Sequence, residues 1–89
     1  MKRIVSSTQF KKDYKRLSKR GYKIAKLARI IAWLSEDKAL PKSCRPHKLS
    51  GDYKQFWECH IEPDWLLIYE YDHSELRLRR TGTHSDLFK

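Results

Sequence analysis

The sequence is poor in cysteine. Cys44 and Cys59 are the only two in 89 residues. They match no metal-ligand spacing and make no disulfide framework, so a reducing cytosol is the expected compartment. No apolar run approaches the ~18 residues that a membrane span needs. The N-terminus, M-K-R-I-V-S-S, carries basic residues but no apolar stretch of the kind a secretory signal has. A soluble, non-secreted protein is therefore expected. Repeats, linkers and low-complexity segments are also missing, and the length allows a single domain over residues 1–89 with a modest core. Acidic residues are outnumbered: 11 Asp and Glu face 20 Lys and Arg, a formal charge of +9. The excess is spread along the chain, which favours a polyanionic partner, nucleic acid first. An acidic protein or an anionic membrane surface would answer the same charge. Hydrophobic residues make up 39%, with three Trp, five Tyr and three Phe. That is enough for a folded core and argues against disorder.

Hydrophobic spacing changes period halfway along the chain. Ile4 and Val5 read as a short strand. Ser6-Ser7-Thr8-Gln9 reads as a capping box with Ser6 as N-cap. Phe10, Tyr14 and Leu17 follow at helical spacing with lysines and arginines between them, up to Gly21. A second helix is expected from Tyr22 to Asp37, with Ile24, Leu27, Ala28, Ile31 and Leu34 as its apolar stripe and Pro41 as its stop. Two helices joined at a glycine suggest a helical hairpin. Beyond a turn at Leu49-Ser50-Gly51-Asp52, alternation takes over. Strands are expected from Phe56 to Glu62, from Trp65 to Tyr71 and from Leu76 to Thr81, joined by turns at Glu62-Pro63-Asp64 and Asp72-His73-Ser74. Thr83 to Phe88 suits one helical turn. The fold class is α+β: a helical hairpin on one face of an antiparallel sheet, the other face partly open.

The chemistry concentrates in C-H-I-E-P-D-W, Cys59 to Trp65. Alternation puts Phe56, Glu58, His60 and Glu62 on one face, and Trp57, Cys59 and Ile61 on the core face. His60 then lies on the open side. His47 precedes this strand and His84 follows the last one; sequence leaves open whether they meet at one end of the sheet. Convergence of these histidines with Asp64, Arg80 and lysines would suit metal-free RNA cleavage. Histidine, with an ordinary pKa near ~6.5, serves as base or acid near neutrality. A base takes the 2′-OH proton, an acid protonates the leaving 5′-oxygen, and cations hold the phosphate charge. Trp65 and Phe88 could stack on bases. Arg80 shares parity with Leu76 and Leu78, so its stem could equally cover the core. His73 sits in a polar turn and carries no role. The histidine spacings match no short zinc motif, and no metal or cofactor is expected.

Three segments carry a resemblance: H-K-L-S-G (His47 to Gly51), C-H-I-E-P-D-W-L-L-I-Y (Cys59 to Tyr69) and R-T-G-T-H-S-D-L-F (Arg80 to Phe88). In order and spacing they resemble the YafQ-like branch of the RelE/ParE toxin superfamily. The N-terminal half agrees in pattern, a short strand and two basic helices. The resemblance implies a RelE-like fold and a toxin of a bacterial type II toxin–antitoxin pair, a ribosome-dependent endoribonuclease that cuts mRNA. It carries over His47, His60, Asp64 and His84 as catalytic residues, and Trp65, Phe88 and, for phosphate, Arg80 as RNA contacts; Lys48, beside His47, is a further candidate RNA contact. His84 is expected as general acid. His47 or Asp64 is expected as general base; a carboxylate among so many cations should be a weak one, which argues mildly for His47 as base with Asp64 orienting it.

The implied partners are an acidic, partly disordered antitoxin, the ribosome with its mRNA, and operator DNA only through the toxin–antitoxin complex, with no membrane. Two alternatives share the fold or the charge. A ParE-like toxin acts on gyrase, but that branch lacks this histidine set. A non-catalytic nucleic-acid-binding module would tolerate loss of the histidines and Asp64.

Overall fold

A computed structural model describes residues 1–49 and 56–88. The element order is β1 (Arg3–Ser6), α1 (Thr8–Lys19), α2 (Ile24–Ser35), a 3-10 turn (Lys42–Cys44), β2 (His47–Lys48), β3 (Trp57–Glu62), β4 (Trp65–Tyr71), β5 (Glu75–Gly82) and α3 (His84–Leu87). The turn expected at Leu49 to Asp52 lies, from residue 50 on, outside the described residues.

Local chemistry explains the helix boundaries. The N-cap of α1 is Ser7, one residue later than expected; its hydroxyl accepts from the Phe10 N–H at 3.0 Å. Ser6 is unavailable because it pairs with Leu78 in the sheet. Gln9 closes no capping box and donates instead to Asp13. Gly21, at φ +85°, ends α1 in the left-handed region. The N–H groups of Tyr22 and Gly21 return to the carbonyls of Leu17 and Ser18, a Schellman ending that favours glycine. α2 is shorter at both ends than the expected Tyr22 to Asp37. Its stop is Asp37 at φ +58°, with Lys38 N–H donating to Trp33 O, and Pro41 lies beyond it. The stripe also differs. Ala28 is exposed, and Ile30 takes its place beside Leu27 in the core.

Among the described residues the sheet has five strands, in the order β1-β5-β4-β3-β2. β3, β4 and β5 form the expected antiparallel meander. Two additions were not legible: β1 pairs parallel with β5, and β2 lies antiparallel on β3 at the opposite edge. Phe10, Leu17, Leu27, Ile30, Cys59, Trp65, Leu67, Tyr69, Leu76 and Leu78 belong to the buried core formed by the helices and one sheet face. Leu66 and Ile68 alternate to the other face and are buried outside that cluster. Both cysteines are free and buried, and burial pushes the Cys59 thiol up to about 12. Among the described residues no helix is long and apolar enough to cross a membrane.

Two register shifts decide which side chains face the open side. In β3 the shift falls between His60 and Glu62. Glu62 thereby leaves the face of Glu58 and His60, where alternation had put it, and pairs with Lys26 of α2 at 2.8 Å. In the β4–β5 pairing, Tyr69 faces Leu78 but Ile68 faces Arg80, so Arg79 is an extra residue. Arg80 therefore breaks parity with Leu76 and Leu78 and aligns with Ile68. A bulge moves a side chain between faces in this way, and simple period-two counting cannot foresee it.

Candidate active site

Strand register places the candidate residues in two cross-strand rows. The first runs His47, Glu58, Ile68, Arg80, and the second His60, Leu66, Gly82. Because β3 and β5 run the same way, both end beside the β3–β4 hairpin. α3 begins there, and His84 reaches the hairpin tip.

Asp64, exposed at that tip, grips His84 twice. Its Oδ1 accepts the His84 backbone N–H at 3.0 Å and the ring Nδ1–H at 2.5 Å. The backbone contact first, and the ring contact second, lower the Asp64 pKa below the ordinary carboxylate range. With Nδ1 engaged, the Nε2 of His84 is the nitrogen left for chemistry. Asp64, expected to orient His47, contacts His84 instead. α3 owes its position to a capping box between Thr83 and Asp86 and to an Asp86–Arg20 ion pair at 3.0 Å. Arg20 and the Thr83 N–H draw the Asp86 pKa down to about 2.

His60 stands 6.0 Å from His84, ring centre to ring centre. Its Nδ1 donates to the Pro63 carbonyl at 3.3 Å. His47 Nδ1 donates likewise to the Arg45 carbonyl at 2.9 Å. Both rings turn Nε2 toward one carboxylate: Glu58 Oε1 lies 3.5 Å from His47 and 3.9 Å from His60. Glu58 is buried and joins the two histidines. Sequence reading passed over it, although its parity with His60 was the signal that could have found it.

The remaining candidates divide. Arg80 is held by Asp13 of α1, Nε to Oδ2 at 2.8 Å and Nη2 to Oδ1 at 3.3 Å. The same fully buried carboxylate accepts from Gln9, Arg16 and the Thr81 N–H. Asp13 was also missed; its signal was to be the single acid in a helix of lysines and arginines. Phe88 is exposed near Arg80, Ile68 and Phe56, around a shallow cavity. Lys48 is exposed beside β3, its Nζ 5.9 Å from the Trp57 ring centre. Trp65 is not available to RNA. It is fully buried, with its indole N–H donating to Thr81 Oγ1 at 2.9 Å and its ring edge-on to Tyr22. Its apolar area is better spent in the core, and its one polar atom finds a partner there. His73 is exposed in the β4–β5 turn, at the far end of the meander. Among the described residues no group of three His, Cys, Asp or Glu side chains is arranged to hold a metal ion.

The arrangement supplies two things acid–base chemistry needs: an imidazole fixed by a carboxylate, and further imidazoles close by on a second carboxylate. Comparison with known proteins agrees with the sequence resemblance. The family described as "Bacterial toxin of type II toxin-antitoxin system, YafQ" matches residues 2–89. The mRNA interferase toxin YafQ of Escherichia coli (strain K12) is 40% identical over 86 residues, covering 96% of this chain and 94% of that protein. The crystal structure of YafQ from Escherichia coli strain BL21(DE3) superposes with a TM-score of 0.94 at 37% identity, over 100% of both chains. A chain of the Escherichia coli DinJ–YafQ toxin–antitoxin complex superposes with a TM-score of 0.92 at 38% identity, over 99% of this chain and 98% of that one.

Proposed function

Because the chain belongs to the YafQ family of toxins from bacterial type II toxin–antitoxin systems, we propose that it is an endoribonuclease that cuts mRNA on the ribosome and so stops translation. The observation that carries this is the Asp64–His84 pair set 6.0 Å from His60, next to the carboxylate that joins His60 to His47.

The reaction needs no group beyond these side chains. His47 Nε2 takes the proton of the 2′-OH, and the freed oxygen attacks phosphorus. The imidazolium so formed is paired with Glu58. As the bond from phosphorus to the 5′-oxygen breaks, His84 gives that oxygen the proton on its Nε2. The products are a 2′,3′-cyclic phosphate and a 5′-hydroxyl. Asp64, held ionised by its lowered pKa, keeps His84 oriented and stabilises its charged form before transfer. His60 and Arg80 hold the phosphate oxygens. Phe88 stacks on a base, and Lys48 binds the backbone.

Residues 1–89 act as one toxin domain in the cytoplasm. The +9 charge supports two docking partners, ribosomal RNA and an acidic antitoxin segment that folds on the toxin. Operator DNA is reached only as the toxin–antitoxin complex. Primer extension on mRNA in a reconstituted translation reaction tests the proposal, with and without ribosomes. Cuts that require ribosomes and vanish in His84→Ala are expected. Undisturbed message and translation with wild-type protein would sink it.

A further inference from the structure

A cavity of about 250 Å³ lies beside the catalytic rows. Gln9, Phe56, Ile68, Arg79, Arg80 and Phe88 are among its lining residues. Ile68 pairs with Glu58 on one side and Arg80 on the other, so the cavity opens one strand away from the carboxylate that joins His47 and His60. Phe88, half-exposed at 43%, closes the last turn of α3, four residues after His84. On the other side the Arg79 guanidinium sits 5.5 Å from the Phe56 ring centre.

These walls suit a flat π-system. Aromatic rings and guanidinium planes stack on any base without choosing among them. A choice requires a fixed hydrogen-bonding group, and Gln9 is one. Its Nε2 donates to Asp13 Oδ1 at 3.1 Å. A carboxylate only accepts, so this bond dictates which end of the amide faces away, and that end is Oε1. Asp13 is itself fully buried and held by Arg16, Arg80 and the Thr81 N–H, so it is a rigid anchor. One buried carboxylate thus orients both the arginine and the amide at the cavity. Neither the acid–base steps nor the helix needs Gln9 there: it caps nothing and lies exposed in the first turn of α1.

We propose that this cavity is a nucleobase subsite and that Gln9 is its specificity-determining residue, its Oε1 accepting from the exocyclic amine of a base next to the scissile phosphate. Adenine, cytosine and guanine carry such an amine. Uracil offers one ring N–H flanked by two carbonyls, which face the amide oxygen unfavourably. The inference rests on the nuclease reading above and adds the selection of substrate to it.

The test uses the full chain in the ribosome-dependent cleavage assay. Messages carry each of the four bases in turn at the positions flanking the cut. Wild type is expected to cut messages with an amine-bearing base about tenfold faster than those with uracil at one of these positions. Gln9→Leu and Gln9→Ala, both good helix formers at an exposed site, are expected to shrink that ratio to about threefold or less. Wild-type ratios retained in both variants, or a wild type that cuts all four messages alike, would overturn the subsite while leaving the nuclease standing. A wild type that cuts none of them would remove the nuclease and the subsite together.

Discussion

Asp64 and His84, twenty residues apart, share one carboxylate oxygen: it accepts both the backbone N–H and the ring Nδ1–H of the histidine. The backbone contact fixes where α3 starts, and the ring contact fixes how the imidazole points. Asp64→Asn keeps the shape but removes the charge and can present its amide to the ring. Cleavage by Asp64→Asn is expected to fall about 10²- to 10⁴-fold in single-turnover assays, the range for a misoriented acid–base histidine. Activity within about twofold of wild type would refute the orienting role.

Glu58 should matter for a different reason. It lies 3.5 Å from His47 Nε2, where under the proposed mechanism it would pair with the imidazolium that forms once His47 takes a proton. Glu58→Gln is expected to slow the cleavage step by about 10- to 100-fold, a typical fraction of one acid–base contribution. Affinity for the ribosome should be unchanged, since the carboxylate is buried and faces the histidines. A fall in ribosome binding at an unchanged cleavage rate would contradict this.

Gly82 tests how tightly α3 must sit. A Cβ placed there would come within 2.9 Å of the Asp86 Cβ, closer than two such atoms pack. That neighbour is the root of a side chain held by Thr83 and Arg20, so the helical turn itself must shift. A displacement of about 1 Å at a catalytic group can cost on the order of 10²-fold in rate. Gly82→Ala is expected to lose activity on that scale while circular dichroism shows the fold retained.

Asp86 makes the anchoring of α3 dependent on pH. Its carboxyl is lowered from an ordinary 3.8 to about 2 by Arg20 and the Thr83 N–H. A depressed folded-state pKa contributes stability that is complete above the unfolded value and disappears as pH falls through the folded one. Wild type should therefore melt higher than Asp86→Asn at about pH 6, and the gap should close between about pH 4 and 2. A gap that stays constant through that window would show that the carboxylate charge is not what holds the turn.

Trp65 separates packing from RNA contact. Trp65→Phe keeps most of the buried ring and removes the indole N–H; Thr81 still has Leu66 O to donate to, at 2.7 Å. A stability loss of about 1 kcal/mol is expected, with cleavage retained. Trp65→Ala should lose about 3–5 kcal/mol and compromise folding. Loss of RNA cleavage in a fully stable Trp65→Phe would restore a direct contact with substrate.

Sequence by itself determined the local elements and the kind of chemistry. Helical spacing around Phe10 and Leu17 and alternation around Cys59 and Leu67 are short-range signals, and turn chemistry at Glu62-Pro63-Asp64 and Asp72-His73-Ser74 needs no distant partner. The histidines and Asp64 were visible as residue types in a resembling pattern. Tertiary structure alone decided how they meet. The two-residue strand β2 has no signal of its own and exists because β3 offers it an edge, which carries His47 to Glu58. The extra residue at Arg79 moved Arg80 off the core parity, and the shift after His60 moved Glu62 away from the site. The running direction of β3 and β5 brought His84 to Asp64, and the core claimed Trp65 because a large ring gains more from burial than from solvent. Periodicity records which face a residue prefers within its own element; pairing between elements distant in the chain is settled only when the whole sheet closes its hydrogen bonds and its core together.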